Sequence, residues 1–238
     1  MLAKFAASRI ILAFDFDGTL APIVSDPECA CMRRTTHLLL SKLAEIRTCL
    51  VISGRSREDL GSKLEGVGLD ELIGNHGAEP WQGAEQVRGQ VRHWERVLKE
   101  DLPDLPGLWI ENKGLSLTIH YRRCRWKFAA RSAIARSVRS LSGVRLVGAK
   151  EAVSIVSQDA PHKGMALKSA AVRLQADRAL YVGDDETDED VFTYTGTELS
   201  LFTIRVGRKN SSHASYFLRN QLEMDDLLQF LIGISANS

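Results

Sequence analysis

Apolar residues fall in two rhythms along this chain of 238 residues. Uninterrupted runs, Ile10–Phe14, Cys49–Ile52, Leu72–Ile73 and Ala179–Val182, predict parallel strands buried on both faces, which have no polar side to show. Between the first two runs, Leu39, Leu40, Leu43 and Ile46 recur at helical spacing on one face, so strand, helix and strand follow in order. Each strand ends in acidic, glycine or polar residues: Asp15, then Ser53-Gly54-Arg55, then Gly74-Asn75-His76-Gly77, then Gly183-Asp184-Asp185. In a doubly wound sheet, ligands bind outside the carboxyl ends of the strands, so these four endings are expected to line one crevice.

Between His76 and Lys163 lie on the order of 85 residues, far more than a connecting loop holds, so this stretch is expected to fold as its own unit. Val91–Leu102 reads as a helix, Leu108–Glu111 and Leu115–Tyr121 as strands joined through Asn112-Lys113-Gly114, and Val144–Val147 with Ala152–Val156 as a second hairpin. Trp126, Ala130, Ala133, Ile134, Val138 and Leu141 form a helical stripe between the hairpins. After Asp184, Thr187 with Asp190 suggests a variant capping box opening a helix through Phe192, Phe202–Val206 a late strand, and Leu222–Leu231 a closing helix. The fold class is therefore α/β: a doubly wound, Rossmann-like parallel-sheet core in residues 1–80 and 159–238, with an inserted α+β cap in residues 81–158.

With 44% hydrophobic residues, the chain can bury a substantial core. Its net charge of +1 provides no field to collect nucleic acid or an anionic membrane surface, so neither partner is expected and any anion must be held by local groups. Met1–Ser8 with Arg9, followed by the short run to Phe14, makes neither a signal h-region nor a membrane span, and a cytoplasmic monomer is the expectation. The four cysteines, Cys29, Cys31, Cys49 and Cys124, lack CxxC spacing and a matching histidine pattern, which argues against zinc or a disulfide framework.

The densest chemistry lies in Asp15-Phe16-Asp17-Gly18-Thr19-Leu20. Residues two apart on an extended strand point the same way, so Asp15 and Asp17 can share a site, where their repulsion calls for a divalent cation or a proton. A capped turn, with Asp17 and Thr19 satisfying backbone donors, is the plainer alternative. Acids crowd Gly183–Asp190 without the spacing of an EF-hand, and Mg²⁺, which prefers hard oxygen ligands, is the natural partner; a solvated acidic helix start competes for Glu189 and Asp190. Ser53 can offer a hydroxyl, and its loop backbone N–H groups, to phosphate; Lys163 adds positive charge at a helix start. His76 reads as a ligand or as a hydrogen-bonded structural residue. Glu111, Asn112, Lys113, His120, Tyr121 and Arg122 suit either a hydroxyl-rich ligand or a solvated hairpin.

Asp15-x-Asp17-Gly-Thr, Ser53, Lys163 and Gly183-Asp184-Asp185 stand in the order of the four motifs of the haloacid dehalogenase superfamily, which the chain resembles. That resemblance implies Asp15 as nucleophile, Asp17 as general acid and base, Ser53, Gly54 and Lys163 as phosphate-binding residues, and Mg²⁺ held by Asp15, Asp184 and the Asp17 carbonyl. Within the superfamily, Ser53-Gly54-Arg55, Asn75-His76-Gly77-Ala78-Glu79, Glu111-Asn112-Lys113-Gly114, Ile119-His120-Tyr121-Arg122 and Gly183–Asp190 are similar to the trehalose-6-phosphate phosphatase family over most of the chain. This implies a small sugar phosphate as substrate, met by Arg55, His76, Glu111, Lys113 and His120. The family's Glu-x-Arg-Pro segment has no counterpart, Ser154-Ile155-Val156-Ser157 standing in its place, with Glu151 as a shifted candidate for the glutamate. A phosphatase for a sucrose or glucosylglycerol type of phosphate, a sugar phosphomutase and a non-catalytic sugar-phosphate sensor are the alternatives.

Overall fold

The computed structural model describes Phe5, residues 10–149 and residues 151–236. Apart from Phe5, the expectation drawn from Met1–Ser8 and Arg9 lies outside the described residues. Two compact units are present, one of Met1–Gly77 with His162–Ser238 and one of Ala78–Pro161. Among the described residues no helix is long and apolar enough to cross a membrane.

The first unit is built on six parallel strands: β1 (Ile11–Phe14), β2 (Cys49–Ile52), β3 (Glu71–Ile73), β8 (Arg178–Gly183), β9 (Ser200–Val206) and β10 (Tyr216–Leu218). Their spatial order is β10-β9-β8-β1-β2-β3, so the winding reverses between β1 and β8. The apolar runs serve both faces of this sheet. Leu12 and Phe14 of β1 join one cluster with Leu40 and Leu43 of α1 (Arg34–Ile46), Leu60 of α2 (Arg57–Lys63), and Leu227, Leu228 and Leu231 of α7 (Met224–Ala236). Ile11 and Ala13 join another with Ala166, Leu167 and Ala170 of α5 (Lys163–Arg173) and Val191 and Phe192 of α6 (Glu189–Phe192). Alternation along one strand thus assigns side chains to two layers.

The second unit is an antiparallel sheet in the order β4-β5-β7-β6, made of β4 (Trp109–Asn112), β5 (Ser116–His120), β6 (Val144–Ala149) and β7 (Ala152–Ser157). Leu117, Ile119 and Ile155 on one face pack with Val87, Val91, Trp94 and Leu98 of α3 (Ala84–Asp101) and Ala130, Ile134 and Val138 of α4 (Lys127–Val138). The α/β class and the separate cap-like sheet agree with the sequence expectation.

Several local expectations are corrected. α3 starts at Ala84 rather than Val91, its first turn holding Glu85 and Gln86 beside Ala84 and the buried Val87. Trp126 is not part of the α4 stripe but precedes the helix and is 66% exposed. The capping box is Asp185 with Asp188, two residues earlier than read, and it opens a 3-10 turn that leads into α6. The closing helix begins at Met224, after a 3-10 turn at Gln221–Glu223, and strand β10 was not anticipated, its residues being mostly exposed.

Ile46, placed on the apolar face of α1 by its spacing, is 50% exposed at the helix end, whereas Leu43 is fully buried. Leu43→Ala is therefore expected to cost about 2–5 kcal/mol and Ile46→Ala to stay within about 0.5 kcal/mol, as read from urea unfolding midpoints.

Candidate active site

The site forms where the winding of the parallel sheet reverses. Asp15 follows β1 and Asp184 follows β8; the Asp15 N–H still donates to the Val182 carbonyl at 2.9 Å, so the two acids leave adjacent strands at one level. The backbone needs a glycine at Gly18, whose φ of +87° and lack of a side chain let the Asp184 carboxylate come close: a Cβ there would overlap it.

Lys163, the first residue of α5, is 1% exposed. Its ammonium donates to Asp15 Oδ1 at 2.7 Å and to Asp188 Oδ1 at 2.7 Å. The Asp188 carboxylate is fully engaged, because Oδ1 also accepts from the Tyr181 hydroxyl at 2.6 Å and Oδ2 accepts from the Asp185 N–H at 2.8 Å. Burial works against the Lys163 charge, but Asp15 and Asp188 outweigh it and hold the ammonium well above its ordinary range. Burial raises the Asp15 carboxyl well above the usual carboxylate range, Lys163 pulling it down and Asp188 and Asp184 pushing it further up. Burial, then Asp188 and Asp185, push Asp184 up to about 8. One ammonium is thus set against more negative charge than it can balance.

A divalent cation suits this imbalance. Asp15, Asp184 and Asp188 each bring a carboxylate oxygen within 4.8 Å of the others, and Asp184 Oδ1 is buried with no hydrogen-bond partner among the described residues. Since Asp188 is committed to Lys163, Tyr181 and Asp185, the carboxylates suited to ligate Mg²⁺ are Asp15 and Asp184, a set of hard oxygens of the kind this ion takes. The Asp17 carboxylate turns elsewhere. Arg55 grips it with Nε to Oδ2 and Nη2 to Oδ1, both at 2.7 Å, while also donating to Asp59 Oδ2 at 2.6 Å and to the Pro27 carbonyl at 2.8 Å. Asp17 can therefore contribute to the expected metal set through its carbonyl, as the resemblance implies, while its side chain pairs with Arg55.

Ser53 follows β2, 1% exposed, with its hydroxyl oxygen accepting from the Arg55 N–H at 3.2 Å. Gly54 leaves room for the His76 imidazole, which a Cβ would strike. His76 itself is 8% exposed in a left-handed turn (φ +58°), so it supports the Ser53–Arg55 loop from behind. In the second unit, His120 Nε2 lies 2.8 Å from Glu111 Oε2, and Lys113 Nζ 3.8 Å from the same oxygen. Glu151, at the turn between β6 and β7, is engaged by Lys127 and Arg122.

Sequence reasoning quoted Asp188 inside a motif without giving it a role, and it passed over Tyr181. The signal for both was present: Asp188 lies four residues after Asp184, and Tyr181 is a hydroxyl-bearing residue inside the apolar run Ala179–Val182.

A parallel sheet with a buried acid, a buried lysine and a second acid gathered at its switch point has the haloacid-dehalogenase-like fold, and the family it matches makes the chain a phosphoric monoester hydrolase. The model of the trehalose-phosphatase family matches residues 13–221, and the chain belongs to that family. It is 28% identical over 263 residues to the probable trehalose-phosphate phosphatase E of Arabidopsis thaliana, spanning 97% of this chain and 71% of that protein. To the trehalose-phosphate phosphatase of Mycobacterium ulcerans it is 30% identical over 205 residues, 79% of this chain and about half (52%) of that protein. The trehalose-6-phosphate phosphatase C-terminal domain of C. albicans has the same fold, with a TM-score of 0.83, 23% identity, and coverage of 98% of this chain and 95% of that one.

The raised Asp184 gives the sign of a pH effect. Its protonated form contributes stability that is lost as pH rises from the ordinary carboxylate range through about 8, while the cation it would hold needs the proton gone. The rise in melting temperature on adding Mg²⁺ is therefore expected to be larger at about pH 8.5 than at about pH 6, and Asp184→Asn to abolish the difference.

Proposed function

We propose that this chain is a Mg²⁺-dependent phosphatase that converts trehalose 6-phosphate to trehalose and phosphate through an aspartyl phosphate on Asp15. The observation that carries the reading is the Lys163 bridge: its bond to Asp15 Oδ1 fixes that carboxylate at the sheet's switch point and leaves Oδ2 as the attacking oxygen.

Phosphate monoester hydrolysis is among the slowest uncatalysed reactions known, so positioning and charge stabilisation must both be large. Lys163 has three N–H donors and spends two on Asp15 and Asp188, keeping the third for a phosphoryl oxygen. The Ser53 hydroxyl and the Gly54 backbone at the end of β2 supply further donors. Mg²⁺ bound at Asp15 and Asp184 would neutralise phosphoryl charge and reduce the repulsion between nucleophile and substrate. Asp15 attacks phosphorus in line, the P–O bond to the sugar breaks, and Asp17, once substrate binding has released its carboxylate from Arg55 and it has taken up a proton, gives that proton to the departing sugar oxygen. Asp17 then takes a proton from water, which attacks phosphorus and releases phosphate, restoring Asp15.

In this reading residues 1–80 and 159–238 carry the chemistry and residues 81–158 read the sugar through Glu111, Lys113 and His120. Glu111 is suited to accept from hydroxyls, as a carboxylate at the edge of a hairpin with Lys113 and His120 beside it. His76 serves by shaping the Ser53–Arg55 loop.

Asp15→Asn is expected to lower phosphate release from trehalose 6-phosphate by at least about 10³-fold with an unchanged far-UV spectrum. Turnover within about tenfold of the parent enzyme would remove Asp15 from the nucleophile's role.

A further inference from the structure

Trp109 opens β4 with 44% of its surface exposed, whereas Trp94 of the same unit is buried to 2%. Its partner across the antiparallel ladder is His120 of β5, and the two rings stack with centroids 4.1 Å apart and planes at 10°. With the imidazole against one face of the indole, the exposure falls on its other face and edge. Alternation along β4 puts Glu111 on the same side as Trp109. There the Glu111 carboxylate meets His120 Nε2 at 2.8 Å and Lys113 Nζ at 3.8 Å. His120 is therefore pinned by the carboxylate at one end and by the indole across its face, and the indole plane is held rigid in turn.

A flat apolar surface with a carboxylate and an ammonium at its border matches one kind of ligand well. A pyranose ring presents an apolar C–H face and a rim of hydroxyls, so it covers an aromatic plane while its hydroxyls donate to a carboxylate and accept from an ammonium. We propose that Trp109 is a specificity-determining residue, the platform on which a pyranose ring of the substrate rests while Glu111 and Lys113 take its hydroxyls. The proposal rests on the sugar-phosphatase reading above and extends it to a residue that this reading leaves without a role. A platform of this kind binds ground state and transition state alike, because the ring it carries is remote from phosphorus; its loss should appear in KM and not in kcat.

The test compares Trp109→Ala and Trp109→Phe with the parent enzyme on trehalose 6-phosphate and on p-nitrophenyl phosphate, which has no sugar, and adds calorimetric titration with trehalose alone. Trp109→Ala is expected to raise KM for trehalose 6-phosphate about tenfold or more, keep kcat within about twofold and leave the p-nitrophenyl phosphate kinetics unchanged. It should also abolish the heat of trehalose binding, whereas Trp109→Phe, which keeps a ring, should stay within about threefold of the parent. A KM for trehalose 6-phosphate that moves less than about twofold in Trp109→Ala overturns the proposal, and so does an equal rise for both esters, which would make Trp109 a brace for the fold. A parent enzyme that cleaves p-nitrophenyl phosphate but no sugar phosphate would instead overturn the functional reading itself, before any variant is compared.

Discussion

A lysine ammonium removed from water is tolerated only where carboxylates replace the solvent, and the first unit is arranged to satisfy that condition at Lys163. The ammonium closes a ring of charge with Asp15 from the end of β1 and Asp188 from the turn before α6, and Tyr181 and the Asp185 N–H hold Asp188 in place. Pairs of this kind are expensive to break, because loss of one member strands the others in low dielectric. The bridge also joins three segments distant in sequence, so the geometry of Asp15 is set by the packing of β1, β8 and α5 together. The same arrangement leaves the cluster short of positive charge, and the raised Asp15 and Asp184 carboxyls express that shortage. A hard divalent cation would offset that shortage.

Much of this was legible in the chain because it depends on burial and on strand ends. A strand covered on both faces must be apolar throughout, so β1, β2 and β8 stand out, and the first polar residue after each marks the crevice. Asp15, Ser53 and Asp184 were found that way. What stayed hidden depends on where helices turn and on how side chains pair. Spacing put Ile46 on the apolar face of α1 and Trp126 on that of α4, but each sits at a helix end where the chain leaves the core. The capping box was shifted by two residues because Gly183–Asp190 offers several acids that could cap, and only the backbone path selects Asp185 with Asp188.

Pairing explains the remaining differences. Asp17 lies two residues from Asp15, which suggested a shared cation, yet a bidentate guanidinium is a better match for a carboxylate than a second acid is, and Arg55 provides one. Glu151, the shifted candidate for a sugar-binding acid, is engaged by Lys127 and Arg122 at a hairpin turn. The second unit is polar where Trp109, Glu111 and His120 meet on β4 and β5, and apolar where Leu117 and Ile119 meet α3 and α4. One antiparallel sheet thereby gives one face to packing and sets polar side chains on the other, as strand alternation allows.

The central claim is that the carboxylate tethered to Lys163 bonds to phosphorus. Mixing the protein and Mg²⁺ with substrate carrying a radiolabelled phosphate, quenching in acid within milliseconds and mapping the label by peptide mass spectrometry tests this directly. The account predicts an acid-stable, base-labile phosphoryl group on the peptide containing Asp15 that appears and decays at rates compatible with turnover. Steady release of labelled phosphate with no labelled protein at any quench time, or label confined to another residue, would contradict it.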